Sequence, residues 1–207
     1  MSKSATVYLI DDDVSVRRLL ETSLGMHGFV VQAFSSAESF LESEWLDLAG
    51  CILLDYKMPG MNGLQLQRAL LDRDVFIPII FITAHADVPK SVEALKAGAF
   101  DFLEKPFSQE ALITTINQAL AKDEEQRSNR NLREDFRKRF EKLTEREFEV
   151  MEMLISGSAN HSSKTIAKQL DISPRTIEHH RMRILEKTEA HSVAELVKFA
   201  AIAGFKI

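Results

Sequence analysis

Residues 7–13 read Val7-Tyr8-Leu9-Ile10-Asp11-Asp12-Asp13, four apolar residues without a break and then three acids. An unbroken apolar run of this kind suits a parallel strand buried on both faces, since no alternate position is left to face water. Two further blocks repeat the pattern: Cys51-Ile52-Leu53-Leu54 before Asp55, and Ile79-Ile80-Phe81-Ile82 before Thr83. Phe29-Val30-Val31 and Phe100-Asp101-Phe102-Leu103 are weaker candidates for two more strands, the second followed by Lys105. Helical stretches alternate with these runs. Val14–Met26 carries Val16, Leu19, Leu20 and Leu24 on one face, and Gly63–Leu71 and Pro89–Ala97 follow further on. Strand–helix alternation predicts a doubly wound α/β domain with five parallel strands.

In such a sheet of order 2-1-3-4-5, strands 1 and 3 are neighbours, and ligands bind at the carboxyl ends of the strands. Asp11, Asp12 and Asp55 would meet at one edge, with Lys105 arriving from the end of the fifth strand. Carboxylates gathered this closely repel one another unless a divalent cation sits among them, and ligation by oxygens alone is what Mg²⁺ prefers. Taken singly, Asp11-Asp12-Asp13 reads as a solvated loop, and Asp55 before Lys57-Met58-Pro59-Gly60 as a turn former. An acid pair, a lone acid and a lysine at three strand ends point instead to a site.

The chain has 207 residues, room for a domain of about 120 residues and a smaller one. Hydrophobic residues make up 45%, enough apolar surface for two cores. No apolar run nears the roughly 18 residues that span a bilayer. The opening MSKSATVYLIDDD turns acidic too early for a signal peptide. Cys51 is the lone cysteine, fits a reducing compartment, and reads as a small buried hydrophobe between Gly50 and Ile52. A cytoplasmic protein with no membrane partner is expected. The net charge of −5 is divided unevenly: residues 1–122 carry −6 and residues 123–207 carry +1, rising to +3 from residue 157 onward. Such asymmetry predicts different partners for the two halves.

Beyond Ser108 the strand signal stops. Residues 122–142 are dense in charge and hold no Pro or Gly, so they predict a helical connector. Leu132, Phe136, Phe140 and Leu143 recur on it at helical spacing, as a dimer seam or a docking stripe would. Thr144 and Glu147 form a capping box that opens a helix with Phe148, Met151, Leu154 and Ile155 on its apolar face, ended by Gly157. Lys164–Leu170 is a short helix, Asp171-Ile172-Ser173 a tight turn, and Ser173-Pro174 an N-cap with proline at the first helical position. The next helix runs to about Lys187, and Ser192 with Glu195 caps a last one ending near Gly204. A short helix, a tight turn and a longer basic helix form a helix-turn-helix that can read DNA. Ile177, Ile184 and Leu185 face its core by periodicity. Arg175, Glu178, His179 and Met182 therefore share the outward face and suit base edges. Lys164, Thr176, Arg181, Arg183 and Lys187 are better placed for phosphates. His179-His180 is no metal site, because adjacent helical residues diverge and no ligand partner is spaced to help.

The segments LIDDDVSVR (9–17), LLDYKMPGMNG (53–63), FITAH (81–85) and FLEKPF (102–107) resemble the receiver domain of two-component signalling, across the whole first domain. LTEREFEV, KTIAKQLDISPRTIEHHR and ILEKTEAHSVAELV resemble the output domain of FixJ/NarL (LuxR-type) response regulators, across residues 143–207. The resemblance implies a flavodoxin-like receiver over residues 1–121, a helical linker over 122–142, and an all-α helix-turn-helix domain over 143–207. It implies a phosphoryl acceptor at Asp55 and Mg²⁺ held by Asp11, Asp12, Asp55 and the backbone carbonyl of Lys57. It implies that Thr83 and Lys105 stabilise the phosphoryl group and that Phe102 is a switch aromatic. Phosphoryl transfer suits such a site, since its transition state spreads charge that a cation and an ammonium neutralise. A sensor histidine kinase and double-stranded DNA are the implied partners, with a homodimer on phosphorylation, RNA polymerase as a further partner, transcription control as the outcome, and no enzymatic role. Between the first two helices of the output domain the family is shorter and carries an Asn-Lys pair; here Gly157–Ile166 is a few residues longer, with Ser163 before Lys164.

Two other readings share parts of this pattern. A nucleotide enzyme on the same sheet would need a G-x-G-x-x-G or P-loop run, and Gly25-x-x-Gly28 sits where a helix ends. A phosphorelay module would use the helical tail to bind protein, without the steep salt dependence of DNA binding.

Overall fold

Every residue of β1 (Thr6–Ile10), β3 (Gly50–Asp55) and β4 (Ile79–Thr83) is buried, which is why these runs have no polar alternation. The computed structural model describes residues 5–43, 48–84, 95–156 and 162–207. With β2 (Val30–Phe34) and β5 (Asp101–Glu104) these strands form one parallel sheet of order β2-β1-β3-β4-β5. Successive side chains on a strand take opposite faces. Tyr8, Ile10, Ile52, Leu54 and Phe81 therefore pack with Phe40, Leu66 and Leu70, while Val7, Leu9, Cys51, Leu53, Ile80 and Ile82 pack with Leu20, Leu24, Leu112 and Ile116. Burial pushes the Cys51 thiol up to about 12, as for an inert buried side chain.

α1 (Val14–Met26) and α3 (Gly63–Leu71) have the expected bounds. Leu19 does not share the buried face of α1: it is 69% exposed, whereas Leu20 and Leu24 are buried. The stripe runs through Val16, Leu20 and Leu24, and a neighbour of Leu20 lies about 100° around the helix, which turns Leu19 outward. β2 extends past the expected Phe29–Val31 as far as Phe34, and as an edge strand it is only partly buried. A short helix, α2 (Ala37–Leu41), was not expected; Ser36 and Ser39 cap it reciprocally. Most of the expected Pro89–Ala97 helix lies outside the described residues.

The chain divides into two units, Met1–Gln126 and Arg127–Ile207, within α4 (Gln109–Phe140). In the first unit Asp123 is buried and accepts from the Gly50 amide at 2.9 Å. Gly50 has φ +142°, and a Cβ there would lie 1.8 Å from the Thr6 carbonyl oxygen, so only glycine fits. In the second unit Phe136 and Phe140 are buried in the core while Leu132 is 45% exposed. The lower part of the apolar stripe thus docks on its own unit. Phe136 stacks on Phe199, and Arg139 lies over both rings while pairing with Asp135 and Glu189.

The rest of the second unit is helical: α5 (Glu145–Ile155), α6 (Ser163–Gln169), α7 (Pro174–Thr188) and α8 (Val193–Ala203). The Thr144–Glu147 capping box is formed in both directions. α5 stops at Ile155; Gly157 and the lengthened stretch after it, through His161, lie outside the described residues. Ser192 accepts from the Glu195 amide, but the Glu195 carboxylate reaches back one residue further than a capping box, to the amide of His191 at 2.7 Å. Gly204 ends α8 in the left-handed region.

Candidate functional site

Strand register assembles the first site. Ile10 pairs with Leu54, so Asp11 and Asp55, each one residue further along, arrive side by side at the carboxyl edge. Asp55 pairs with Ile82, Thr83 with Glu104, and Lys105 follows directly after a Lys105 amide bond to the Thr83 carbonyl at 2.7 Å. One oxygen each from Asp11, Asp12 and Asp55 lies within 4.8 Å of the others. Lys105 Nζ stands 3.0 Å from Asp11 Oδ2 and 3.7 Å from Asp55 Oδ1. The Lys105–Pro106 bond is cis.

The three acids of the 11–13 run do different work. Asp11 is 1% exposed, accepts from the Asp13 amide at 2.9 Å, and its carbonyl takes the Arg17 guanidinium at 2.5 Å. Asp12 is exposed and belongs to the carboxylate cluster. Asp13 is the N-cap of α1, and the Ser15 and Val16 amides hold its carboxyl below the usual range. Asp55 is 9% exposed; burial pushes its carboxyl up to about 6, opposed by Lys105 and helped by the charges of Asp11 and Asp12. A carboxylate kept at this cost, beside two others, is a place where a cation relieves repulsion. The donor set, three hard oxygens with solvent access at Asp12, fits a divalent metal.

Around Asp55 the loop is held by close packing. The Tyr56 amide donates to the Ile82 carbonyl and the Gly63 amide to the Tyr56 carbonyl. A Cβ on Gly63 would meet Phe81 Cε1 at 2.7 Å and the Asp55 carbonyl oxygen at 2.9 Å. Glu38 Oε1 on α2 accepts from the Met61 amide at 2.8 Å. Neither Gly63 nor Glu38 stood out in the sequence, since their contacts join segments with no shared periodicity. Lys57 is exposed, Met58 buried. Thr83 is 2% exposed at the end of β4. Phe102 is half-buried, its ring 6.4 Å from Tyr56 and 6.3 Å from Phe81.

In the second unit, Asp171 takes φ 52° in the turn, a conformation Asp tolerates better than most residues. Ser173 caps α7 through the Thr176 amide, with Pro174 at its first turn. Ile177 and Ile184 are buried; Arg175, Glu178, His179 and Met182 are exposed along one stripe. Lys164 and Arg183 are exposed, and Thr176 and Arg181 half-buried. Arg183 stands 3.5 Å from Glu186. Lys187, expected at a phosphate, sets its ammonium 2.6 Å from Glu147 Oε2. Burial works to raise the Glu147 carboxyl, but Lys187 and Thr144 outweigh it and hold it below the usual range.

The fold and its acid cluster define a receiver, and the helical unit a DNA-binding output domain; known proteins agree. The family described as response regulator receiver domain matches residues 7–117, and bacterial regulatory proteins, luxR family, matches residues 141–200. The chain belongs to the two-component response regulators of the FixJ/NarL type. It is 42% identical to the transcriptional regulatory protein FixJ of Azorhizobium caulinodans over 204 residues, 99% of this chain and 95% of that protein. It is 39% identical to the response regulator protein TodT of Pseudomonas putida, covering 95% of this chain and 85% of that one. Its structure matches the response regulator StyR with a TM-score of 0.84 at 41% identity, over 96% of this chain and 99% of that one. It matches full-length FixJ from B. japonicum with a TM-score of 0.59 at 39% identity, over 98% of both chains.

The protein is a phosphorylatable transcriptional response regulator, in a family of transcription regulators rather than classical enzymes. Its two domains imply a kinase partner and DNA as ligand. Among the described residues no helix is long and apolar enough to cross a membrane.

Proposed function

We propose that Asp55 accepts a phosphoryl group from the phosphohistidine of a sensor kinase in the cytoplasm, and that the modified protein dimerises and binds promoter DNA, where it can meet RNA polymerase. In this reading residues 1–121 take the signal, 122–142 connect, and 143–207 bind DNA. The convergence of the Asp11, Asp12 and Asp55 carboxylates with Lys105 carries the assignment. Asp11, Asp12, Asp55 and the Lys57 carbonyl would hold Mg²⁺, which supplies charge neutralisation for phosphoryl oxygens when bound. Asp55 offers the attacking oxygen, Lys105 its positive charge, and Thr83 a hydroxyl donor. A shift of Thr83 toward the phosphoryl group leaves space into which Phe102 can turn, and so alters the surface of the last strand and the helix after it. Arg175, Glu178, His179 and Met182 face base edges, while Lys164, Thr176, Arg181 and Arg183 contact phosphates. Lys187 acts in this scheme through Glu147 and not through DNA.

Beryllofluoride, a phosphoryl mimic, tests the gating. Added with Mg²⁺, it should raise both the dimer fraction and the DNA affinity of the wild type and neither in Asp55→Asn. No change in the wild type would overturn the proposal.

A further inference from the structure

A helix face that meets a polyanion is expected to carry cations and neutral donors. Glu178 departs from that expectation. It is an acid exposed on α7 beside Arg175, His179 and Met182, nearer the start of the helix than the other exposed acid of that face, Glu186, which stands 3.5 Å from Arg183. The Glu178 carboxylate is also held in place. The Ser163 hydroxyl, at the start of α6, donates to Glu178 Oε1, and Arg181 Nη1 stands 3.9 Å from the same oxygen. Among the described residues Oε2 takes no hydrogen bond. Because the Ser163 contact crosses from the first helix of the motif to the second, the carboxylate is fixed by the motif itself, and less rotamer freedom remains to be lost on binding.

A carboxylate on such a face weakens binding unless it meets a hydrogen-bond donor. The major groove offers two kinds, the exocyclic amino groups of cytosine N4 and adenine N6. Beside adenine N6 stands N7, an acceptor that repels a second carboxylate oxygen and suits an amide instead. Cytosine itself carries no acceptor beside N4, its neighbour on that base being C5–H, which makes it the better match for an acid. We propose that Glu178 is a specificity-determining residue: oriented by Ser163 and Arg181, its carboxylate accepts from the N4 amino group of a cytosine and so specifies a C·G pair at one position of each half-site. The assignment rests on α7 being the DNA-reading helix.

The test is selection from a pool of random DNA duplexes by the full-length protein with beryllofluoride and Mg²⁺, as wild type, Glu178→Gln and Ser163→Ala. The wild type should enrich a half-site with cytosine at one fixed position, and replacing that C·G by T·A should weaken its binding about 5- to 150-fold. Glu178→Gln should lose this discrimination and shift toward adenine at that position alone, with thermal unfolding unchanged. Ser163→Ala should keep the cytosine with a smaller discrimination. If Glu178→Gln selects the wild-type sequence with undiminished preference at every position, the Glu178 assignment is overturned while the DNA-reading helix stands. If the wild type enriches no sequence, the reading helix itself falls and takes the assignment with it.

Discussion

Lys105 Nζ lies 3.0 Å from Asp11 Oδ2, joining the end of β5 to the end of β1 across 94 residues of chain. Asp11 is 1% exposed, and the Lys105 ammonium is set directly against its carboxylate. Lys105→Met leaves the acid cluster without its ammonium, and breaking a partly buried pair of this kind costs about 1–3 kcal/mol. Urea unfolding in chelator should show that loss, and added Mg²⁺ should restore most of it. Unchanged midpoints would mean that the lysine does not compensate Asp11.

Asp55 should make the metal-free protein less stable as pH rises. Burial holds its folded carboxyl at about 6, above the ordinary aspartate value of about 3.9, so the group binds its proton more tightly in the folded state. The penalty is absent below about pH 4, grows through the interval to about pH 6, and is full above it. Asp55→Asn should therefore stabilise the metal-free protein at pH 7.5 by about 1–3 kcal/mol, with the gain vanishing at pH 4. Parallel stability curves for the two proteins across this range would contradict the prediction.

Gly63 is closed to any side chain. An added Cβ would stand 2.7 Å from the Phe81 ring and 2.9 Å from the Asp55 carbonyl oxygen. Gly63→Ala should cost about 1–3 kcal/mol through overpacking and displace the acceptor strand end. Slower phosphorylation by a small phosphodonor, together with a lowered melting temperature, is the expected pair of readouts.

Lys187 and Glu147 make a strut between α7 and the start of α5, with Glu147 6% exposed. Lys187→Met should destabilise the second unit by about 1–3 kcal/mol. The strut's contribution is present above the usual glutamate range and lost as pH falls through the depressed Glu147 value. DNA titrations against salt separate this role from phosphate contact. Arg183→Met should reduce the slope of log affinity on log salt by about 1, and Lys187→Met should leave it unchanged. An equal reduction for both would return Lys187 to the phosphates.

Much of this architecture was legible because its signals are local. Val7–Ile10, Cys51–Leu54 and Ile79–Ile82 are buried on both faces, so their lack of alternation announced interior strands, and the order of the sheet then brought Asp11 and Asp55 together. Thr144 and Ser173 announced helix starts by residue type alone. What stayed hidden depends on long-range contact or on short length. α2 has five residues, too few to show a helical period. Asp123 reads as one acid in a charged connector, yet it is buried against Gly50, 73 residues away. Lys187 looks like any cation on a DNA-facing helix until Glu147, 40 residues earlier in the chain, is placed beside it.

The site's chemistry is tested most directly by locating the phosphoryl group. The protein is incubated with acetyl phosphate and Mg²⁺, the acyl phosphate is reduced with borohydride, and the altered residue is mapped by mass spectrometry. One modified aspartate is expected, Asp55, with the label absent in chelator and in Asp55→Asn. Modification at another residue, or labelling indifferent to Mg²⁺ and retained in Asp55→Asn, would contradict it.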